Sequence, residues 1–337
     1  MSDELLRLDG VRKHFGVRGA PWRSGKSVKA VDGVDFVVRK GETVGLVGES
    51  GSGKSTLARV ATRLLDPTAG RVAIAGDDVT KVNGRKLRPV RRKVQMVFQD
   101  PQASLNPRQS VGAILTTPFL AQGIRPTRAQ LAELLQQVGL SEEHLERYPH
   151  EFSGGQRQRI GIARALSVKP ELLICDEPVS ALDVSVQAQV LNLLADLRDE
   201  LGLSYVLVAH DLAVVRQVAS RVAVMYLGTI VEEGPAAQVY SAPAHPYTKA
   251  LLSAVPVPVP GIERDRIVLS GDVPTPIDPP SGCPFRTRCY KAEDVCATQR
   301  PVLEPVEDST EHRAACYFPE PPTSERTLWS APPERSR

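Results

Sequence analysis

The stretch GETVGLVGESGSGKSTLARV, residues 41–60, constrains the fold more than any other part of the chain. A short apolar run of strand type leads into a glycine-rich loop with the pattern GxxxxGK[ST], and residues with helical spacing follow it. Glycines let backbone N–H groups surround phosphates, and the helix N-terminus adds positive potential. The sequence therefore predicts a phosphate-binding loop between a strand and a helix. Its residues are Gly48, Glu49, Ser50, Gly51, Ser52, Gly53, Lys54, Ser55 and Thr56.

A second acidic element, LLICDEP at residues 172–178, fits the same chemistry. In a nucleoside triphosphate site Lys54 meets the β- and γ-phosphates and Ser55 ligates Mg²⁺. The apolar run LLIC predicts a buried strand that delivers Asp176 to the Mg²⁺ shell and Glu177 to a position where it polarises a water molecule. Alone, an apolar strand ending in a solvated acidic turn is common. Together with the glycine-rich loop, it predicts a site for a nucleoside triphosphate and Mg²⁺.

Charge and composition favour an ordinary globular protein. The chain has 337 residues and a formal net charge of +3, which gives no strong argument for nucleic acid or a membrane surface as partner. The first residues, MSDELLRLDG, lack the pattern of a signal peptide, and no apolar run approaches the roughly 18 residues of a membrane span. We therefore expect the chain to stay in the cytosol, where thiols are reduced and a disulfide framework is disfavoured.

Composition changes near Pro256, and more than half of the 28 prolines lie from Pro256 onwards. The first 250 residues alternate strand-like and helix-like patterns, whereas the remainder has little apolar periodicity. The sequence VPVPVPG, residues 255–261, predicts an extended linker because each proline fixes its own φ. We predict a nucleotide-binding domain over residues 1–255 and a smaller C-terminal domain over residues 256–337.

The segment HEFSGGQRQRIGIARAL, residues 150–166, places a capping serine and two glycines before a second amphipathic helix. By itself this is an ordinary helix cap. However, SGGQ followed by a basic helix resembles the signature of the ATP-binding cassette family. The resemblance implies that this signature contacts the ATP bound by a second chain, so that one chain alone does not complete a site. The signature residues are Ser153, Gly154, Gly155 and Gln156.

Other positions resemble the remaining elements of this family. Phe15 resembles the aromatic that stacks on adenine. Gln99, in MVFQDP, resembles the glutamine that links Mg²⁺ and the attacking water to the membrane partner. Asp183, in SALD, resembles the dimer-communication residue, and His210 resembles the switch histidine at the γ-phosphate. The resemblance thus implies Glu177, His210 and Gln99 as catalytic residues, and Ser55, Gln99 and Asp176 as the magnesium site.

The same resemblance implies the fold class. It is an α/β P-loop NTPase of the ATP-binding cassette type, with a mostly parallel sheet flanked by helices. An antiparallel β subdomain comes at the start, a helical subdomain lies at about residues 100–165, and a small Cys/Pro-rich domain ends the chain.

Two segments, AHPYTKALLSAVP at residues 244–256 and QDPQASLNP at residues 99–107, resemble the ATPases of oligopeptide and dipeptide importers. The basic insertion at residues 18–31 is similar to one of their two paralogous ATPase subunits. The resemblance implies a peripheral ATPase on the cytoplasmic face of the cell membrane. Its implied partners are the paralogous ATPase subunit, two transmembrane permease subunits and an extracytoplasmic solute-binding protein, with no nucleic acid.

Alternative functions remain open at this point. Nickel or another small solute could replace peptides, because absent subunits select the solute. A soluble cassette ATPase of DNA repair or translation is disfavoured, since the chain has neither a second cassette nor a long coiled-coil insertion. A subunit that does not hydrolyse ATP would carry a change at Lys54, Ser153, Glu177 or His210, and all four are intact.

Four of the five cysteines lie in the proline-rich C-terminal part, without the CxxC pairs usual for structural zinc. Four thiols in a segment with a small core favour a metal that stabilises it. Cys175, in the predicted strand, is expected to be a small buried hydrophobe. GCPFRTRC with two later cysteines resembles the importer ATPases, which implies a [4Fe–4S] cluster, structural or redox-sensing, with zinc as the alternative. Its ligands would be Cys283, Cys289, Cys296 and Cys316.

Overall fold

Two β-sheets with helices around them form the framework of the protein. The computed structural model describes residues 3–17, 26–255, 266–306 and 309–321. The predicted linker lies outside these residues except for Val255, and the basic insertion lies outside them up to residue 25. The strands are β1 Glu4–Gly16, β2 Ser27–Arg39, β3 Thr43–Val47, β4 Ala69–Ile74, β5 Asp77–Asp78, β6 Val94–Val97, β7 Leu172–Asp176, β8 Ser204–Ala209, β9 Arg221–Tyr226, β10 Thr229–Pro235, β11 Glu304–Val306 and β12 Ser309–Ala314.

Helices connect most of these strands, and the longest runs over Val184–Leu201. None of the helices in the described parts of the chain is both long and apolar enough to span a membrane. Short 3₁₀ turns occupy Gly84–Leu87, Glu142–Glu146 and Pro149–Glu151. The α-helices are α1 Lys54–Ala61, α2 Arg88–Lys93, α3 Pro101–Ser104, α4 Val111–Ala121, α5 Arg128–Gln137, α6 Gly154–Leu166, α7 Val184–Leu201, α8 Leu212–Arg216, α9 Ala236–Ser241, α10 Pro246–Ser253 and α11 Asp294–Thr298.

The N-terminal sheet is antiparallel, as predicted, with the strand order β2-β1-β4-β5. Its long strands alternate between the core and the surface. On β1, Leu6 and Leu8 are fully buried, whereas Arg7 between them is exposed. This period of two gives the sheet one apolar face.

The larger sheet has eight strands in the order β11-β12-β10-β9-β3-β8-β7-β6. The five strands from β9 to β6 pair in parallel, and β10, β12 and β11 add antiparallel pairs. The central strands β3, β7 and β8 are buried at every position, which explains their uninterrupted apolar sequences. The predicted mostly parallel sheet is therefore confirmed.

Helix α1 lies between the two sheets. Its Leu57 and Val60 are buried in one apolar cluster with residues of β1 and β2 on one side and of β7 and β8 on the other. Packing on both sides fixes the direction of the helix and therefore of the loop that precedes it.

A buried carboxylate joins the C-terminal strands to the rest of the larger sheet. Glu232, on β10, is fully buried and accepts hydrogen bonds from the backbone N–H groups of Ala244 and His245, each at 2.8 Å. His312 Nε2, on β12, lies 2.7 Å from its Oε1. One carboxylate thus ties together β10, β12 and the start of α10.

We predict that Glu232→Ala destabilises the protein by about 3–5 kcal/mol, because it leaves two buried N–H groups and a buried imidazole without their acceptor. Glu311→Ala, which removes an exposed carboxylate from the neighbouring part of β12, is the matched control. Denaturant unfolding measures both. Equal, small losses for the two variants would contradict the proposed structural role of Glu232.

His245 gives a pH-dependent contribution to stability. Burial lowers the pKa of its imidazole to about 4, against the opposing charge of Glu232, and its Nδ1 accepts the backbone N–H of Tyr247 at 3.1 Å. An unfolded histidine has a pKa of about 6.5. Below that pH the unfolded chain binds a proton that the folded chain does not, so stability falls as pH drops from about 6.5 towards 4.

His245→Asn should therefore flatten the decline of the melting temperature between pH 7 and 4.5, because asparagine keeps a helix-capping acceptor but does not titrate in this range. His150→Asn, at an exposed position, serves as the control. Parallel pH profiles for the parent and the His245 variant would exclude this contribution.

Candidate active site

The predicted phosphate-binding loop, residues 48–53, connects the buried strand β3 to α1. Two of its glycines are required by their surroundings. A Cβ at Gly48 would stand 2.1 Å from the carbonyl oxygen of Met225, and one at Gly53 would stand 2.1 Å from that of Ala30. Both have positive φ, 150° and 106°, which side chains rarely adopt. Backbone from both sheets therefore supports the loop.

The Lys54 side chain is buried and lies against the backbone of this loop. Its Nζ donates hydrogen bonds to the carbonyl oxygens of Gly48 and Glu49, each at 2.8 Å. Burial lowers the pKa of this ammonium group, and the negative charges of Glu177, Asp176 and Glu49 oppose that effect. The loop thus encloses a cation beside its backbone N–H groups, as an anion-binding site requires.

Ser55 and Asp176 form a direct contact. The Ser55 hydroxyl donates to Asp176 Oδ1 at 2.8 Å. Asp176, the last residue of β7, is 1% exposed, and this burial raises the pKa of its carboxyl group. A hydroxyl and a carboxylate at this position are oxygen ligands of the kind that Mg²⁺ prefers.

Two further predicted residues, Gln99 and His210, contact the carboxylate of a third, Glu177. Gln99 Nε2 donates to Glu177 Oε2 at 2.9 Å, and His210 Nδ1 lies 3.3 Å from the same oxygen. The three residues follow the neighbouring parallel strands β6, β7 and β8, whose carboxyl ends share one edge of the sheet. Glu177 adopts a φ of 44°, a strained conformation of the kind often found at functional sites.

The predicted signature lies at the exposed start of α6. Ser153 caps this helix, because its hydroxyl accepts the Gln156 N–H at 3.3 Å, and the Gln156 side chain accepts the Ser153 N–H at 3.0 Å. A Cβ at Gly155 would stand 2.4 Å from Val186 Cγ1 on α7. In the described residues, no hydrogen bond links this segment to the phosphate-binding loop. The chain thus presents two separate helix N-termini.

Asp183 caps the neighbouring helix α7. Its carboxylate accepts from the Ser185 hydroxyl at 2.7 Å and from the Val186 N–H at 3.0 Å. The hydrogen bond from Ser185 is the main cause that lowers the pKa of this carboxyl group. Since Val186 also touches Gly155, Asp183 lies close to the signature.

Phe15 lies near the end of β1, with its side chain exposed. It pairs with Val28 on β2, and Ala30, two residues further along that strand, supports Gly53. Phe15 therefore lies on β1 next to β2, the strand whose backbone supports the phosphate-binding loop.

We call residues 281–306 and 309–321 the cysteine segment. Cys283 and Cys296 are buried, and the Cys283 N–H donates to the Cys296 carbonyl oxygen at 2.8 Å. Burial raises the pKa values of the Cys283 and Cys289 thiols, and raises that of Cys316 to about 11. All four cysteines are free thiols. In the described parts of the chain no three His, Cys, Asp or Glu side chains are arranged to hold one metal ion.

Sequence reasoning missed a contact between this segment and the phosphate-binding loop. Arg288 Nη1 and Nη2 donate to the Glu49 carboxylate at 2.7 and 3.1 Å. The Tyr247 hydroxyl, on α10, accepts the Glu49 N–H at 2.8 Å. These partners are far apart in sequence, and no local pattern predicts their contact. The only indication in the sequence was Glu49, an acidic residue at one of the unspecified positions of the pattern GxxxxGK[ST].

Two protein-family models match this chain. Residues 31–180 match the ABC transporter family model, and residues 231–296 match the model for the C-terminal region of oligopeptide/dipeptide transporters. Both matches include residues of the site described above.

Curated proteins are similar along almost the whole chain. The oligopeptide transport ATP-binding protein OppF of Salmonella typhimurium is 50% identical over 94% of this chain and 97% of its own length. AppF of Bacillus subtilis, another oligopeptide transport ATP-binding protein, is 50% identical over 94% and 98%.

Solved structures share the fold at lower identity. The dimeric ATP-binding cassette MJ0796, bound to ADP and Pi, has a TM-score of 0.61 and 28% identity over 69% of this chain and 99% of its own. CbiO1 of Clostridium perfringens, part of the transporter complex CbiONQ, gives 0.60 and 25% over 71% and 91%. With half of its residues identical to peptide-transporter relatives over nearly their full length, the chain belongs to the ATP-binding cassette ATPases of the oligopeptide/dipeptide transporter family.

Proposed function

We propose that this protein is the ATP-hydrolysing subunit that powers peptide import through an ATP-binding cassette transporter. One observation supports this most directly. Gln99 and His210 both contact one oxygen of Glu177, next to the enclosed Lys54 and the Ser55–Asp176 pair. Such a carboxylate beside a phosphate-binding loop suits the activation of water rather than nucleotide binding alone.

The phosphate-binding loop would hold the triphosphate of ATP. Backbone N–H groups of this loop, apart from that of Glu49, which donates to Tyr247, and the Lys54 ammonium would provide donors and positive charge for the β- and γ-phosphates. Phe15 is proposed to stack on the adenine. Ser55, Asp176 and Gln99 would hold Mg²⁺, which neutralises charge on the phosphates when bound. The existing Ser55–Asp176 hydrogen bond brings two of these oxygens to one place.

Glu177 is proposed as the residue that orients the attacking water and accepts its proton. Its side chain is 14% exposed, so it is accessible to water while bulk solvent is largely excluded. Gln99 fixes the carboxylate by its amide donor, and His210 stands on the exposed side, where it can contact the γ-phosphate. Glu177 and His210 together would thus confine the water and the phosphate to one line of attack.

The separate position of the signature supports a composite site. Ser153, Gly154, Gly155 and Gln156 lie at a helix N-terminus that has no hydrogen bond to the chain's own loop in the described residues, so they could close on the nucleotide of a second chain. The family relatives named above work in peptide transport, and we propose a paralogous ATPase subunit as the second chain. Asp183, next to the signature, would transmit the state of one site to the other.

We propose that the subunit is peripheral, on the cytoplasmic face of the membrane, bound to two permease subunits. An extracytoplasmic solute-binding protein would deliver the solute. Peptides are favoured over other solutes because OppF and AppF, named for oligopeptide transport, match this chain along almost its full length.

For the cysteine segment we propose a [4Fe–4S] cluster that stabilises the fold. Besides burial, neighbouring thiols raise one another's pKa values. Cys289 and Cys283 raise the pKa of Cys316, and Cys296 raises the pKa values of Cys283 and Cys289. Each thiolate of such a cluster binds a different iron, so the ligands need not surround one point as the ligands of zinc do. The segment lies within the proposed small C-terminal domain, residues 256–337.

We predict that Glu177→Gln lowers ATP turnover in the assembled transporter by at least about a hundredfold, because the amide cannot accept the proton. ATP binding should remain, whereas Lys54→Ala should weaken binding itself. Turnover assays and nucleotide titrations separate the two effects. Glu200→Gln, at an exposed position, is the control, and parental turnover in the Glu177 variant would show that the assigned base is wrong.

Anaerobically purified protein should be brown and contain about four irons and four labile sulfides per chain. Cys289→Ser should lose the colour and most of the iron, while Cys175→Ala, which changes a buried thiol in β7, should keep both. Iron, sulfide and zinc analysis decides the question. Colourless parent protein with one zinc per chain would show that the four cysteines bind zinc and not a cluster.

A further inference from the structure

We propose that Arg288 is a positioning residue of the ATP site, which neutralises Glu49 in the phosphate-binding loop and so permits tight binding of the anionic nucleotide. This inference rests on the proposed ATP-binding function. It assigns to the cysteine segment a role in the nucleotide site itself, beyond the stabilisation of its own fold.

Glu49 is the one acidic side chain in the loop sequence GESGSGKST. Its negative charge is felt within the site. Burial lowers the pKa of the Lys54 ammonium, and Glu49 is one of the carboxylates that oppose this effect. A carboxylate in that position repels the phosphates of ATP, which carry several negative charges. The loop therefore needs a compensating cation if it is to bind the nucleotide well.

Arg288 supplies that cation. Its two Nη atoms contact the two oxygens of the Glu49 carboxylate, and its side chain is only 9% exposed. A largely buried arginine that holds a carboxylate by two hydrogen bonds interacts with it more strongly than an exposed arginine does. These hydrogen bonds raise the pKa of the guanidinium group, so it stays charged at any physiological pH.

The cysteine segment holds Arg288 in this place. The Arg288 N–H donates to the Phe285 carbonyl oxygen at 3.0 Å, and the buried Phe285 ring packs on Tyr226 and Tyr247 with centroid distances of 5.2 and 5.4 Å. The guanidinium lies 6.0 Å from the centre of the Tyr226 ring. Cys283 and Cys289 flank this turn in sequence. Loss of the folded cysteine segment would therefore withdraw the cation from Glu49.

A purely mechanical tether is the competing explanation for the same ion pair. If Arg288 only anchors the loop, loss of either partner should weaken ATP binding to a similar degree, and loss of both should be no better. If Arg288 neutralises charge, the two single changes have opposite signs, because only one of them leaves an unpaired carboxylate.

The test is the dissociation constant of MgATP, measured by titration of the full chain. Charge neutralisation predicts about five- to tenfold weaker binding for Arg288→Met, at low ionic strength and with a smaller effect at high salt. Glu49→Gln should tighten binding, and the double variant should return close to the parent. Lys249→Met is the matched control, because it removes another ion pair between α10 and the cysteine segment, at 2.8 Å from Glu320.

Weaker binding in both single variants and in the double variant would overturn the proposal in favour of a tether, and unchanged binding in Arg288→Met would overturn it outright. If Arg288→Met does not fold, Glu49→Gln alone decides, since the two explanations predict opposite signs for it. Failure of the parent chain to bind MgATP would contradict the proposed function instead, so the two failures are distinguishable.

Discussion

The packing of backbone against the phosphate-binding loop is the constraint on which the rest of the structure depends. Carbonyl oxygens of Ala30 and Met225 occupy the space that side chains at Gly53 and Gly48 would need, and the Gly228 N–H donates to the Ser52 carbonyl oxygen at 2.9 Å. The loop is therefore shaped by strands of both sheets. Because α1 is packed between those sheets, a phosphate site arises only when both are in place.

The parallel strands then bring together the side chains that are proposed to act on a bound phosphate. Strands β6, β7 and β8 end at the same edge, and each is followed by one polar residue of the cluster of Gln99, Glu177 and His210. In the described residues no hydrogen bond joins the signature to the phosphate-binding loop, and the proposed composite site assigns the signature to the nucleotide of a second chain. The antiparallel strands at the other side of the sheet bring in the cysteine segment, whose Arg288 reaches back to Glu49. Ala30 from the N-terminal sheet and Arg288 from the cysteine segment thus both contact the phosphate-binding loop.

Much of this could be predicted from sequence because the functional motifs are local. The order of strand, loop and helix around Lys54 follows from a short pattern, and the uninterrupted apolar runs of β7 and β8 indicate buried parallel strands. The hydrogen bonds between Glu49 and both Arg288 and Tyr247 could not be predicted, since they join residues about 200 or more positions apart. The pairing of β12 with β10 was also missed, because STEHRA has the composition of a surface loop and its strand is stabilised by the buried Glu232–His312 contact.

The most direct test of this account is ATP turnover by the isolated chain, compared with turnover by the complex with its paralogous ATPase, permeases and peptide-loaded binding protein. If the signature acts on the nucleotide of a second chain, as proposed, the isolated chain should hydrolyse ATP slowly. In the complex, turnover should rise and depend on peptide. High turnover by the isolated chain, unaffected by the partners or by peptide, would contradict a composite site coupled to peptide import.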